Sequence, residues 1–196
     1  MRLGVIGGTG LISMDMTQQL ADVGGELLRS DDLTVDTPYG PVPLRCFSIR
    51  VAEVTCELVF LQRHHDQGGH GRPPHMINHK ANVTAMMESN VDALLSVCSV
   101  GAVASSFPPG KVGLADQYID FTGVAMTFHD DESTFTSVTL PFDPEMNLRL
   151  EAVLEPLKTS MQTNGFVTRT GLRKGHSLKR LQKSTLSSSL EVTWLE

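Results

Sequence analysis

An arginine and two histidines directly follow the strongest β-strand pattern in the sequence. Arg63-His64-His65 comes after Thr55–Leu61, a segment whose β-branched and apolar residues are typical of a strand. A guanidinium group can bind two oxygens of a phosphate, and an adjacent imidazole can donate another hydrogen bond. The Arg63-His64 pair therefore indicates an oxyanion site. A solvated polar loop is the alternative, since surface loops often gather Gly, Pro and His.

The density of histidines in this region raises the question of a metal site. Five of the seven histidines lie between His64 and His79. The helical spacings His-x-x-x-His and His-Glu-x-x-His do not occur there, and no Cys or Glu lies nearby in the sequence. We therefore expect no metal site.

A glycine-rich segment, Ile6-Gly7-Gly8-Thr9-Gly10, follows the first predicted strand. Its backbone amides and the Thr9 hydroxyl can hydrogen-bond an anion. A dinucleotide-binding loop would have glycine where Ser13 stands, and a Walker loop would contain a lysine, so neither motif fits. A simple tight turn after a strand is the remaining alternative.

A third candidate loop is Ser96–Ala102, where another predicted strand runs into a turn of small residues. Small side chains at the carboxyl end of a strand let a ligand approach the backbone, and open α/β sheets bind ligands there. The hydroxyl and amides around Cys98 and Ser99 would complete an anion site. Otherwise Cys98 is most simply a buried apolar residue.

The elements that must position these loops alternate between strand and helix. Predicted strands cover Arg2–Ile6, Thr55–Leu61 and Ala93–Val97, and a helix is predicted for Asn78–Ser89. A strand, helix, strand succession favours a largely parallel α/β sheet. All three candidate loops follow strands, which strengthens the prediction of one shared anion site.

Three further elements are predicted after residue 110. The apolar run Val112–Ala115 reads as a strand, and Asp143 before Pro144 is typical of a helix start. Pro156 is expected to kink or end that helix. Phe166–Thr170 alternates like a strand.

The composition changes at Gly171, so we predict a partial α/β domain at residues 1–170 and a separate tail at 171–196. The tail has five Lys or Arg against two Glu and contains the run Ser187-Ser188-Ser189. Such a polar segment buries too little surface to offset its chain entropy. A flexible, partly helical extension is expected.

The composition of the whole chain excludes several classes of protein. With 196 residues, 40% hydrophobic and 19% charged, one soluble globular domain is expected. No apolar run is long enough for a membrane span and no leader is visible, so a cytoplasmic location is predicted. The net charge of −6 argues against nucleic acid as a partner. Neither a disulfide framework nor a zinc site is suggested by the three scattered cysteines: Cys46, Cys56 and Cys98.

The sequence resembles the methylthioadenosine phosphorylase branch of the purine nucleoside phosphorylases. The resemblance spans about the first 170 residues and comprises ordered segments. In chain order, the matching segments are Gly4–Leu11, Asp36–Pro41, Leu61–His64, Pro73–Asn82, Val100-Gly101, Pro109-Gly110 and Asp116–Thr122. The Pro73–Asn82 stretch looks most like bacterial members, including those acting on methylthioinosine.

The resemblance implies a mixed sheet curled into a distorted barrel with helices around it, incomplete at the C-terminus and assembled as a homotrimer. It implies phosphate binding by Thr9, Arg63 and His64, with Cys98 and Ser99 at a third contact. Phosphate would attack C1′ of a purine nucleoside, 5′-methylthioinosine or 5′-methylthioadenosine, releasing the base and a (methylthio)ribose 1-phosphate. The resemblance implies no metal and no cofactor. Inorganic phosphate takes part in the reaction as a co-substrate.

This sequence departs from the family pattern at several places. Cys98 stands where a polar residue is usual, and His65 stands where glycine is usual. After Thr170 the family continues with Gly-Pro-Arg-x-Glu-Thr and the ribose- and base-binding segments, whereas this chain has Gly171–His176 and an unrelated tail. We hypothesise a frameshift near codon 171; this is refuted if no alternative reading frame beyond that codon of the coding DNA encodes the missing Gly-Pro-Arg-x-Glu-Thr signature.

Two alternatives come from other functional classes. One is a non-catalytic phosphate- or nucleotide-binding fragment, or a degenerate subunit of the same family. The other is a nicotinamide-binding oxidoreductase, which rests on the glycine-rich segment alone and requires NAD(H) binding.

Overall fold

The computed structural model of this chain describes residues 1–8, 11, 15–66, 71–101, 107, 112–121 and 127–155, together with the backbone of 167–170 and 188–193. The chain forms two compact units, Met1–Val97 and Cys98–Glu196. Within the described helices, none has the length and apolar composition needed to cross a membrane.

The centre of the first unit is a set of three parallel strands. β1 (Arg2–Gly7) lies between two later strands of the chain. Gly7 at its carboxyl end is opposite Gln62 on one side and Val97 on the other. All three predicted strands are thus confirmed. Because β1 is parallel to the strand that ends at Gln62, the chain leaves both strands at the same edge of the sheet. The other strands of the unit are β2 (Gly25–Thr37), β3 (Gly40–Val51), β4 (Val54–Gln62) and β5 (Ala93–Gly101).

β2 and β3 form a long antiparallel hairpin, and β3 continues antiparallel to β4. The sheet of this unit is therefore mixed, in the order β2-β3-β4-β1-β5, with an antiparallel half beside the predicted parallel strands. Over the described residues these five strands form an open sheet, without the closure into a barrel that the resemblance implied. The predicted mixed α/β class is confirmed.

The turn of this hairpin is fixed by a threonine and a glycine. The Thr37 hydroxyl donates to the Gly40 carbonyl at 2.7 Å and accepts from the Tyr39 amide at 3.2 Å. Gly40 has φ 121°, a backbone conformation that side chains with a Cβ rarely adopt. The carbonyl of Tyr39 in turn accepts from the Asn78 side chain at 2.7 Å. The hairpin tip is thereby bonded to the start of the following helix.

Two helices follow strands in this unit, α1 (Met16–Asp22) and α2 (His79–Glu88). Asn78 caps α2 by accepting from the Ala81 amide at 3.1 Å, which confirms the predicted helix with its two outer residues as caps. A short 3-10 helix at Pro74–Met76 precedes it. One face of α2 packs against the sheet in a core formed by Ile6, Val42, Leu44, Val59, Leu61, Ala81, Ala85 and Met86.

The second unit contains β6 (Val112–Ala115), α3 (Pro144–Leu154), β7 (Val167–Thr170) and β8 (Ser188–Thr193). β6 pairs in parallel with both β7 and β8. Asp143 caps α3 by accepting from the Met146 amide at 2.6 Å, as predicted, and the helix ends at Leu154, shortly before Pro156. Pro156 itself lies outside the described residues.

The described part of the tail is extended at β8, where a partly helical segment was expected. A parallel partner explains this difference, because pairing with β6 supplies the backbone hydrogen bonds that a polar tail alone lacks. The predicted boundary at residue 171 stays a prediction.

Candidate phosphate-binding site

The carboxyl ends of β1 and β4 bring the glycine-rich segment and Arg63 together. The Arg63 amide donates to the Gly7 carbonyl at 3.0 Å. A Cβ built on Gly8 would lie 3.1 Å from Arg63 Nη2 and 3.3 Å from Cζ. Because Gly8 has no side chain, the guanidinium group can lie against the backbone where β1 ends.

Arg63 and His64 also contact each other through their side chains. Arg63 Nε donates to His64 Nε2 at 3.3 Å. On the other side of the ring, His64 Nδ1 lies 2.8 Å from the Arg72 carbonyl. Since a carbonyl oxygen only accepts hydrogen bonds, Nδ1 carries a proton and the Nε2 lone pair faces Arg63. The imidazole is 8% exposed, so its orientation is held by burial as well as by hydrogen bonds.

The next residue, His65, is tied to helix α2. Its Nε2 atom lies 2.8 Å from Oδ1 of Asn82, and the Asn82 amide donates to the Arg63 carbonyl at 3.4 Å. Asn82 is 2% exposed. The segment that carries Arg63 and His64 is thus bonded to a strand on one side and to a helix on the other.

A third imidazole, that of His79, lies close to the same pair. His79 is the first residue of α2, and its side chain remains accessible to solvent. Partial burial lowers the pKa of His79, and the positive charge of Arg63 and the electrostatic interaction with the nearby His64 ring lower it further. Sequence analysis did not single out His79, because it lies on another element, and only the clustering of histidines hinted at it.

Removing one of these charges should be visible at His79. We expect the Arg63→Gln variant to have a higher His79 pKa than the wild type, still below the ordinary value of 6.5 because burial remains. Titrating the ring resonances by NMR measures this shift, with Arg45→Gln as the surface control. The folded state disfavours protonated His79, so acidification below about 6.5 reduces stability through this residue. An unchanged His79 pKa in Arg63→Gln would show that the Arg63 guanidinium group does not lie close to His79.

A second prediction concerns the space left by Gly8. We expect Gly8→Ala to weaken phosphate binding roughly threefold to tenfold with little loss of stability, because the new Cβ meets only the mobile end of Arg63. Gly4→Ala is the matched control, on the strand β1 that ends directly before Gly8. There the Cβ would lie 2.9 Å from Leu94 Cδ1 and 3.2 Å from Met86 Sδ, so overpacking costs roughly 1–3 kcal/mol of stability.

Phosphate titrations and urea unfolding of both glycine variants measure the two effects. If Gly8→Ala lost stability like Gly4→Ala while keeping wild-type phosphate affinity, this interpretation of Gly8 would be wrong.

The remaining predicted site residues are placed as follows. Thr9 lies outside the described residues. The predicted turn of small residues is wrong in position, because hydrogen bonding continues the strand β5 through Gly101. Cys98 and Ser99 are therefore strand residues; Cys98 is half-buried and Ser99 exposed. Within the described ranges, no three His, Cys, Asp or Glu side chains converge as a metal site requires.

The first unit thus defines an arginine–imidazole site at a strand end beside a glycine-rich segment, an arrangement suited to an oxyanion. Residues 2–174 match the sequence model of the phosphorylase superfamily. The chain belongs to this superfamily, and the relatives it matches are nucleoside phosphorylases, which are pentosyltransferases.

Several relatives illustrate the match. A probable 6-oxopurine nucleoside phosphorylase of Thermococcus kodakarensis is 32% identical over 159 residues, covering 76% of this chain and 53% of the relative. An S-methyl-5′-thioadenosine phosphorylase of Thermofilum pendens is 34% identical over 148 residues, covering 74% and 51%. A probable S-methyl-5′-thioinosine phosphorylase of Methanothermobacter thermautotrophicus is 33% identical, covering 71% and 45%. The chain spans about half the length of these relatives.

Solved structures confirm the fold. A methylthioadenosine phosphorylase from an Antarctic soil metagenomic library superimposes with a TM-score of 0.62 at 22% identity, covering 91% of this chain and 58% of that one. The methylthioadenosine phosphorylase of Schistosoma mansoni in complex with adenine gives a TM-score of 0.57 at 18% identity, covering 99% and 77%.

Proposed function

We propose that Arg63 and His64 bind inorganic phosphate for the phosphorolysis of a purine nucleoside. The observation that supports this most is the contact between the two side chains beside Gly8, at the carboxyl end of a parallel strand pair. The guanidinium group supplies charge and several parallel donors, and the imidazole is held in a fixed orientation next to it. His79 adds an imidazole whose lowered pKa favours its neutral form, so it adds little positive charge beside Arg63.

In the proposed reaction, a phosphate oxygen attacks C1′ of the ribose while the C1′–N bond to the purine breaks. The transition state resembles an oxocarbenium ion, and the bound phosphate is both its nucleophile and its nearest negative charge. The protein contributes by holding the dianion in place and in line with the leaving base, which needs no covalent intermediate. The attacking hydrogen phosphate gives up its proton when its oxygen bonds to C1′, and the departing purine takes up one proton, directly or through solvent, giving free base and a ribose 1-phosphate.

The substrate we propose is 5′-methylthioinosine or 5′-methylthioadenosine. Support comes from the relatives, whose names specify 6-oxopurine nucleosides, methylthioadenosine and methylthioinosine. Thr9, Cys98 and Ser99 as additional phosphate contacts and the homotrimer stay predictions of the resemblance, and the cytoplasmic location stays a prediction from the hydropathy of the sequence.

A second candidate is a non-catalytic phosphate-binding fragment of the same family. The described side chains of this site are Arg63, His64 and His79. The observation that favours the fragment is that we assign all three to the phosphate and none of them to the purine or the ribose.

One assay separates the two candidates. The purified chain is incubated with phosphate and, in turn, methylthioinosine, methylthioadenosine or inosine, and the free base is quantified by chromatography. Phosphate-dependent release of base that Arg63→Ala abolishes and Arg45→Ala preserves supports the enzyme. Saturable phosphate binding without base release supports the fragment, and absence of both contradicts the proposed site.

A further inference from the structure

A single buried amide contacts the phosphate-site segment at two points. Asn82 Nδ2 donates to the Arg63 carbonyl, and Asn82 Oδ1 lies 2.8 Å from His65 Nε2. The orientation of the amide follows from the first contact, because a carbonyl oxygen accepts and only Nδ2 can donate to it. Oδ1 therefore faces His65 as an acceptor, and His65 Nε2 carries the proton.

These two contacts lie on either side of His64 in the sequence. One lies on the peptide before His64 and the other on the side chain after it. The same segment is also held by the Arg63 amide on Gly7 and by a turn in which the His65 amide donates to the Gln62 carbonyl at 3.0 Å. The strand contacts fix where the segment begins, and the Asn82 contacts fix how its peptide planes are rotated against α2.

The directions of the Arg63 and His64 side chains depend on that rotation. A small rotation of the 63–64 peptide moves the tips of both side chains, since each is several bonds from the backbone. Because Asn82 is 2% exposed, its amide cannot replace a lost partner with bulk water. Breaking either hydrogen bond is therefore costly, and the two bonds together hold the segment in place.

We propose that His65 and Asn82 form a positioning pair that sets the geometry of the Arg63–His64 phosphate site without contacting the anion. This inference rests on the proposed function and deepens it.

The size of the effect follows from the loss of one hydrogen bond to a buried group. Leaving Asn82 Oδ1 without its donor disfavours the observed orientation of the amide and releases the Arg63 peptide. We expect phosphate binding to weaken roughly fivefold to tenfold, the range that a single lost partner of a buried polar group produces.

Three variants test the proposal in the full chain: His65→Ala, His65→Gln and His75→Ala. Glutamine carries an amide N–H at about the same distance from the backbone as Nε2 of histidine, so it can restore the donor. His75 is an exposed histidine of the nearby 3-10 helix and serves as the control. Phosphate dissociation constants, thermal midpoints and the NMR resonance of the Arg63 side-chain Nε–H in the free protein are measured for each.

The expected result is weaker phosphate binding in His65→Ala, recovery to within about twofold in His65→Gln and no change in His75→Ala. A residue that only supported the fold would lower the thermal midpoint without changing the dissociation constant of the folded protein. Wild-type affinity in a folded His65→Ala variant, or failure of His65→Gln to restore affinity, overturns the pair.

The free-protein measurement separates this proposal from the proposed function. If the wild type does not bind phosphate, the phosphate site is refuted, yet the Arg63 Nε–H resonance still reports the geometry. A shift of that resonance in His65→Ala that His65→Gln reverses supports the positioning pair on its own. A resonance that stays in place in His65→Ala overturns it.

Discussion

Replacing Arg63 with alanine is expected to weaken phosphate binding roughly a hundredfold. Arg63 is the group in the described site whose cation can bind two phosphate oxygens at once, and a charge-assisted hydrogen bond stabilises by about 1.5–3 kcal/mol. Arg63 also donates to His64 Nε2, so the substitution removes a contact that holds the imidazole beside the guanidinium group. Isothermal titration with phosphate measures the loss.

The matched control is Arg45→Ala, which removes the same charge from the protein surface. Arg45 lies on β3 and pairs with Asp32 across the hairpin at 3.0 Å. Its side chain is about half exposed, and a pair of this kind contributes little. Equal weakening by Arg63→Ala and Arg45→Ala would show that phosphate responds to net charge, and the assigned site would then be wrong.

Replacing Leu61 with alanine is expected to lower the free energy of unfolding by about 2–5 kcal/mol. Leu61 is 0% exposed and belongs to the core between the sheet and α2. Truncation loses the transfer free energy of the buried methyl groups and leaves a cavity that close-packed neighbours fill only in part. Urea unfolding followed by circular dichroism measures the change.

Leu28→Ala is the control for this substitution. Leu28 lies on β2 and is 41% exposed, so its truncation is expected to change stability by less than about 1 kcal/mol. Leu61 stands two residues before Arg63, and its loss should act on the fold that carries the site. Similar losses in the two variants would contradict the assignment of the core to the β4–α2 side of the sheet.

The elements with strong local signals could be predicted from the sequence. Strand β4 and helix α2 each contain, within their own residues, the residue types that are typical of a strand and of a helix. The Asp143-Pro144 start of α3 is likewise a purely local signal. The strand, helix, strand order also indicated the parallel pairing of β1, β4 and β5.

The long hairpin β2–β3 could not be predicted in the same way. Much of β2 is exposed, so its apolar residues do not alternate regularly. Its charged residues find partners across the sheet, as in the pair of Glu26 with Arg50, and in sequence such residues look like a solvated loop. For this reason the antiparallel half of the sheet was not predicted.

The candidate site likewise has a part that the sequence indicated and a part that depends on how distant segments pack together. Arg63 and His64 are adjacent in the chain, so their chemistry was visible in the sequence. The positions of His79 and Asn82 depend on how α2 packs beside the sheet, a contact between residues 19 apart for Asn82 and Arg63. The same dependence explains why His65 looked only like a departure from the family pattern and not like a partner of Asn82.

The most direct test of the phosphate site is an NMR titration of the wild-type chain with inorganic phosphate. Saturable shifts are predicted for the Arg63 Nε–H and for the His79 ring, together with a rise in the pKa of His79 as the bound anion offsets the charges that lower it. Absence of saturable shifts at Arg63 and His79 when phosphate is raised to tens of millimolar, well above a dissociation constant of about 1 mM, would contradict the phosphate site.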